Sequence, residues 1–321
     1  MRASASPGSG PVRVLGFGDN VVDRFVDRRV DYPGGNSVNV AVLARRHGLE
    51  SGYLGVFADD DLGRFVREAI VAEGVEVDHC VVREGESGLS TLRVDAGERV
   101  FLGWNGGGVS LRQPLVLDDA LLAYVALFGV VHSSVYSATE DQLPLLAGSG
   151  PLVTFDLSGE EEYRTAAYLD RVCPYADLVL LSCSHLDHSA TRRLLEDVVQ
   201  RGAGIALATR GAEGAMAYDG HHLSEVPARP MSWTGGMIDT MGCGDAFLTG
   251  FVVALLRSGW TTDARPGERA VAHALRRGAD SAYAQCFVEG AFGHGRPVGH
   301  AVTSTIDPAL GQTKGAVDPC Q

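Results

Sequence analysis

The sequence predicts an α/β fold, with a mostly parallel central sheet between two helical layers and a smaller β-sheet set over it as a lid. Three observations lead there. Short apolar runs of strand length alternate with longer stretches whose apolar residues recur at helical spacing, as in β/α units with crossover helices. Two regions break that alternation with short period-two segments. A chain of 321 residues that is 45% hydrophobic can bury one large core or two smaller ones.

Residues 1–11 are small, polar and rich in Gly, Ser and Pro, and are expected to be disordered. Residues 12–17 read as a buried strand, 36–47 and 60–73 as helices, and 52–57 as the strand between them. Further strands are expected at 128–133, Leu152–Asp156, Leu178–Ser182 and 204–209, with helical stretches between them. Residues 189–201 and 267–285 are helical candidates, and the apolar run from Phe247 to Leu256 is a helix stopped at Ser258-Gly259. The interrupting segments are 21–32 and 87–103, the second folded about a hairpin turn at Asp95-Ala96-Gly97-Glu98. Strands inserted between β/α units cannot easily join a parallel core. They are therefore assigned to the lid, over the carboxyl ends of the core strands. The folded unit implied by these elements spans 12–290, and 291–321, rich in Gly, His and Pro and aperiodic, is expected to be a loose tail.

Composition excludes several functions. The net charge is −13, and the basic residues are scattered and almost all arginine, so no stripe exists to bind nucleic acid. No apolar run approaches the roughly 18 residues of a membrane span, and the N-terminus lacks a signal-like apolar segment. The six cysteines (80, 173, 183, 243, 286 and 320) show no paired short spacing, which points to reduced thiols in a cytoplasmic protein rather than a zinc site or disulfide framework.

Asp239-Thr-Met-Gly-Cys-Gly-Asp245 is the most informative stretch. A Gly-x-Gly turn opening onto a helix gathers unpaired backbone N–H groups, and the helix dipole adds positive charge there, so Gly242, Cys243 and Gly244 form a candidate anion cradle. Asp245 follows in the first helical turn. An anion cradle beside a carboxylate meets the needs of phosphoryl transfer to an alcohol: amides for the charge, a base for the hydroxyl proton. The same pattern also serves as a plain structural loop and helix cap. A dinucleotide fingerprint is excluded by the motif's late position. A P-loop or protein-kinase site needs a lysine, and the only one is Lys314, in the tail.

With Pro33-Gly-Gly-Asn-Ser-Val-Asn-Val-Ala41 upstream, this motif resembles the paired signatures of the ribokinase-like (PfkB) sugar kinases, in the right order and about 200 residues apart. The likeness covers roughly residues 12–290. It leans toward the fructoselysine 6-kinase branch through Gly18-Asp19-Asn20, Asp23, Arg99-Val-Phe101, Phe155-Asp-Leu-Ser158 and Ile238-Asp-Thr-Met241. It implies a ribokinase-like three-layer α/β/α fold and an ATP-dependent kinase acting, with Mg²⁺, on a hydroxymethyl group of a sugar or sugar–amine conjugate. Asp245 becomes the base. Substrate contact is carried onto Asp19, Asp23, Gly35, Asn36, Asn39 and Arg99. Nucleotide contact is carried onto Thr209, Gly211 and Gly214, with Asp239 and Thr240 beside the anion turn. In many relatives that turn borders a potassium or sodium site, which spacing by itself does not demonstrate. Lid-to-lid homodimers are common among such relatives and are the assembly expected by analogy.

Two departures stand out. Relatives usually carry Asn-x-x-Glu after the strand ending near Ser182, where it organises magnesium. Here the stretch is Ser182-Cys-Ser-His185, leaving nucleotide oxygens, water and Asp187 or Asp156 to hold metal. The lid segment Trp104-Asn-Gly-Gly-Gly108 also lacks the acidic residue expected opposite a substrate ammonium group. A kinase for ribose, a plain ketose or a nucleoside, and a catalytically retired sugar-binding protein, remain as alternatives.

Overall fold

A computed structural model describes residues 12–95, 98–230 and 238–298. Nine strands form the central sheet: β1 (Arg13–Gly18), β4 (Glu50–Ala58), β5 (Val81–Arg83), β8 (Val130–Ser134), β9 (Leu152–Asp156), β10 (Leu178–Ser182), β11 (Ile205–Thr209), β12 (Ala215–Tyr218) and β13 (Leu223–Val226). Their order is β13-β12-β11-β10-β9-β8-β1-β4-β5. All neighbours from β11 to β5 are parallel, and β12 and β13 add an antiparallel edge. The lid has the order β14-β3-β2-β6-β7, from β2 (Val21–Phe25), β3 (Val30–Gly34), β6 (Leu89–Asp95), β7 (Glu98–Trp104) and β14 (Arg296–Pro297).

Helices cover both faces of the large sheet because alternate strand residues point to opposite sides. Val179, Leu181, Ala206 and Ala208 belong to a core shared with α3 (Gly108–Arg112), α4 (Asp119–Val125), α5 (Leu143–Gly148), α6 (Ala166–Val172) and α7 (His188–Gln200). Their neighbours Leu178, Leu180, Ile205 and Leu207 face the opposite core, with α1 (Asn36–Arg46), α8 (Cys243–Arg257) and α9 (Glu268–Gln285). A third apolar cluster joins lid residues Val22, Phe25 and Leu92 to α1 and to α2 (Asp61–Ala72). The three-layer fold with a lid is therefore present, and element ends lie within about two residues of the sequence reading, as helix and strand limits commonly do.

Two expectations need correction or fall outside view. The packed chain does not stop at Gly290: Ala291 and Phe292 are fully buried, and β14 pairs antiparallel with β3. Burying Phe292 under the lid outweighs the local composition that reads as a tail. The expectations for residues 1–11, for Ala96 and Gly97 in the hairpin turn, and for 299–321 lie outside the described residues, although Asp95 and Glu98 do face each other across β6 and β7.

Strand order reverses at β1, which has β4 on one side and β8 on the other. Such a reversal opens a crevice at the carboxyl edge of the sheet. Instead of entering a helix there, the chain leaves β1 into β2 and β3 and only then forms α1, so the lid and the amino end of α1 meet over the crevice. Close seating of α1 depends on Gly16: a Cβ there would lie 2.0 Å from the Ser37 carbonyl oxygen. Gly16→Ala is expected to cost about 3 kcal/mol, the upper range for overpacking, because a backbone atom must move. A urea midpoint unchanged from that of the unsubstituted chain would contradict this seating.

Candidate active site

The amino end of α1 is built around Asp19. Gly35 precedes the helix at φ 114°, and an added Cβ would lie 2.7 Å from Asn20 Cα, so glycine is required and no side chain there can cap the helix. Asp19 supplies the cap from the end of β1. Its Oδ2 accepts from Asn36 N at 2.6 Å, while Oδ1 accepts from Ser37 N at 3.2 Å and lies 2.8 and 2.7 Å from the hydroxyls of Ser37 and Ser137. Asp19, expected from the resemblance to contact substrate, thus has Oδ1 filled by the protein and keeps spare acceptor capacity chiefly on Oδ2.

One turn of α1 then presents both asparagines to Asp245. Asn36 Nδ2 donates to Asp245 Oδ1 at 2.8 Å and to Asp156 Oδ2 at 2.7 Å, so one amide nitrogen bridges two carboxylates. Asn39 Nδ2 donates to Asp245 Oδ2 at 2.7 Å, leaving Asn39 Oδ1 buried without a hydrogen-bond partner. The bridge fixes the Asn36 amide, whose Oδ1 must accept, so His132 Nε2 carries its proton toward Asn36 at 2.6 Å and Nδ1 accepts from the Thr154 hydroxyl at 2.9 Å. Burial holds the His132 imidazole neutral, with its pKa pushed down to about 3.

Burial also raises both carboxyls. Asp156 goes up to about 6. Asp245, 8% exposed, is raised well above the carboxylate range, first by desolvation and then by the charge of Asp156, with Asp19 and Asp23 adding to it. Asp23 is buried, and its Oδ2 would lie 2.7 Å from a Cβ at Gly34, so the diglycine admits it to the crevice. Arg99 sits on β7 opposite Val94, and its side chain lies outside the described residues.

At the other side of the crevice, Gly242 adopts φ 73° and α8 begins. Its first intrahelical bond runs from Ala246 N to Gly242 O at 2.8 Å, which leaves the amides of Gly244 and Asp245 outside the helical ladder. An added Cβ at Gly244 would meet nothing within 4 Å, so the turn opens onto free space. The cradle read from sequence is corrected at one residue: Cys243 N donates to Thr240 O at 3.2 Å, because the turn over 240–243 closes on itself. Asp239 shapes that turn, accepting from Thr240 N at 2.7 Å and Met241 N at 3.0 Å, and Arg28 of the lid reaches it at 3.9 Å.

Thr209 ends β11, and Gly211 and Gly214 form the turn beyond it, closed by Arg210 N donating to Gly214 O at 2.8 Å. This turn shares the sheet's carboxyl edge with the crevice. Arg210, unremarked in the sequence, is buried there, paired with Glu213, and its Nε lacks a hydrogen-bond partner.

A protein-built metal cage does not fit these residues. Asp187 caps α7, accepting from Ala190 N at 2.7 Å. Where Asn-x-x-Glu was expected, the Arg164 guanidinium donates to Ser182 O and to His185 Nε2, placing a cation where a metal-organising carboxylate would stand. Among the described residues, no group of three or more His, Cys, Asp and Glu side chains is arranged for a metal ion.

Three participants escaped the sequence reading: His132, Ser137 and Gln285. The last sets its Nε2, with two hydrogens to donate, 3.0 Å from Met241 O, 3.1 Å from Gly290 O and 2.9 Å from Ala291 O, fastening the turn before α8 to the chain after α9. His132 and Gln285 sit in elements whose periodicity announces only secondary structure, and Ser137 sits in the turn after β8. A histidine and a hydroxyl inside an otherwise apolar strand were the one available signal, at His132 and Ser133.

Comparison with known proteins agrees with this geometry. Residues 14–293 match the model of the pfkB family carbohydrate kinases. The chain is 35% identical to the fructosamine kinase FrlD of Bacillus subtilis, over 89% of this chain and 95% of that one. It is 29% identical to the fructoselysine 6-kinase of Escherichia coli, over 74% and 86% respectively. Among solved structures, fructokinase with bound ATP from Xylella fastidiosa superposes with a TM-score of 0.73 at 21% identity, covering 87% of this chain and 94% of that one. The chain belongs to the pfkB carbohydrate kinase family, and it is an ATP-dependent sugar kinase with the ribokinase-like fold.

A general base must be ionised to act, so with Asp245 in that role kcat/KM would fall as pH drops through its pKa. Because the Asp156 charge raises that pKa, Asp156→Asn should move the acid limb of the kcat/KM profile to lower pH. An acid limb that stays in place, or moves up, would remove Asp156 from the electrostatics of the base.

Proposed function

We propose that this pfkB kinase transfers the γ-phosphoryl group of ATP to a hydroxymethyl group of a fructosamine, a sugar joined to an amine. The observation that carries the reading is Asp245: buried, raised in pKa, held by two asparagines, and set one residue past the open turn at Gly244. Its carboxylate accepts the acceptor hydroxyl's proton as the oxygen attacks phosphorus. The amides of Gly242 and Gly244 stabilise charge on the transferring group. Asn39 Oδ1, buried and unpartnered, is left to accept from a sugar hydroxyl. Mg²⁺ carried on the nucleotide would supply charge neutralisation.

Two observations support an amine-bearing acceptor. The similar proteins named above include a fructosamine kinase and a fructoselysine 6-kinase. Asp19, Asp23, Asp156 and Asp245 are all buried at the crevice, and Asp19, Asp23 and Asp156 each act on a neighbouring carboxyl there. This negative potential suits an ammonium group, although it comes from beneath the lid rather than from the 104–108 segment. A lid-to-lid homodimer belongs to the same reading, supported by exposed Phe101, Leu102 and Trp104 on the edge strand β7.

ATP consumption measured with fructosamines, fructose, ribose and nucleosides should be greatest with a fructosamine. Preference for an uncharged sugar would return the protein to plain sugar kinases. Asp245→Asn should keep acceptor affinity while cutting turnover by on the order of 10² or more. Wild-type turnover in that variant would show that another group takes the proton.

A further inference from the structure

Cys243 and Cys286 are 43 residues apart in sequence, yet their sulfurs stand 3.6 Å apart. Cys243 is the first residue of α8, inside the anion turn, and Cys286 is the residue immediately after α9. Both thiols lean on one carbonyl, Ala282 O, at 3.7 and 3.3 Å, and both are partly exposed. We propose that this pair is a reversible oxidation site, closed to a disulfide by hydroperoxides, and that closing it disarms the anion turn.

The chemistry is balanced with a hydroperoxide as the oxidant. The Cys286 thiolate attacks the peroxide oxygen, forming a sulfenic acid and releasing hydroxide. Cys243 sulfur then attacks that sulfur, the S–O bond breaks, and its thiol proton leaves with the departing hydroxide as water. The net change is two thiols and one peroxide to one disulfide and two waters. Reduction by a dithiol reverses it.

Selectivity comes from the surroundings. The hydrogen bond from Cys243 draws the Cys286 thiol down to about 7, so a large share is thiolate at neutral pH. Burial pushes Cys80 and Cys173 up to about 12 and Cys183 up to about 11, which keeps them unreactive.

A disulfide requires the sulfurs to close to about 2.0 Å. The strain falls on the seam that shapes the anion turn. Cys286 O accepts from Ile238 N at 2.9 Å and Asp239 N at 3.3 Å, and the adjacent Gln285 holds Met241 O at 3.0 Å. Pulling Cys243 toward this seam turns the neighbouring amides away from the position where they meet phosphate.

The full chain should be treated with hydrogen peroxide, mapped by peptide mass spectrometry, and titrated with ATP by calorimetry, a readout independent of the sugar acceptor. Expected are a Cys243–Cys286 bridge and an ATP affinity lowered about tenfold, the loss of roughly one charge-assisted hydrogen bond, both restored by dithiothreitol. Cys286→Ser should bind ATP as the reduced protein does and keep that affinity under peroxide. Absence of this bridge, a bridge to another cysteine, or a bridge that leaves ATP affinity unchanged overturns the proposal.

Discussion

One amide nitrogen, Asn36 Nδ2, carries a donor to each of two buried carboxylates, and the crevice is organised around that bridge. Both carboxyls lie where water hardly reaches, which raises the cost of ionising each, and the Asp156 charge raises that cost further at Asp245. At Asp156, pushed up to about 6, burial weighs against the charged form by roughly 3 kcal/mol. The sign follows directly: protonated carboxyls favour the fold, and that contribution is complete below the unfolded carboxylate range and lost as pH rises through about 6. Near neutrality the protein therefore holds a destabilising arrangement, offset by the apolar cores on either side of the sheet. In exchange, Asp245 is a stronger base than an exposed aspartate, on a helix end that faces open space.

The bridge works only because Asn36 cannot turn. His132 donates to its oxygen, Thr154 fixes the imidazole, and burial keeps the ring neutral, so the chain of hydrogen bonds has one direction. Beneath it, Asp19 ties the first amides of α1 to the end of β1 and to Ser137 beyond β8. Three strands of the sheet are thereby locked to one helical turn. Asp19 is more an organiser of this corner than a free ligand, because hydrogen bonds within the protein already occupy Oδ1.

The anion turn is held from the opposite side by α9. Gln285 and the Cys286 carbonyl both reach it, and Ala291 packs 3.2 Å from where a Cβ on Gly242 would sit. The stretch after Gly290 thus shapes the turn and also lends β14 to the lid, so lid and turn share a physical connection through Arg28 and Asp239 as well as through the chain itself. Two arginines line this edge: Arg164 donates into the Ser182–His185 stretch, and Arg210 lies buried beside the glycine turn after β11.

The alternating apolar runs determined the layers, the parallel sheet and the lid, because period two and period 3.6 are local properties that burial reads directly. The two glycine motifs likewise placed Asn36, Asn39 and Asp245 near one another's chemistry, since glycine before a helix has few physical uses. Local composition misread residues 291–298, whose apolar pair Ala291-Phe292 gains meaning only when a lid stands over it. Spacing could not show that Cys243 donates its amide within its own turn, that Cys286 lies against it, or that Asp19 spends one oxygen on the protein. The approach of Cys286 to Cys243 and of Ser137 to Asp19 joins residues 43 and 118 apart, where no periodicity reaches and packing alone decides.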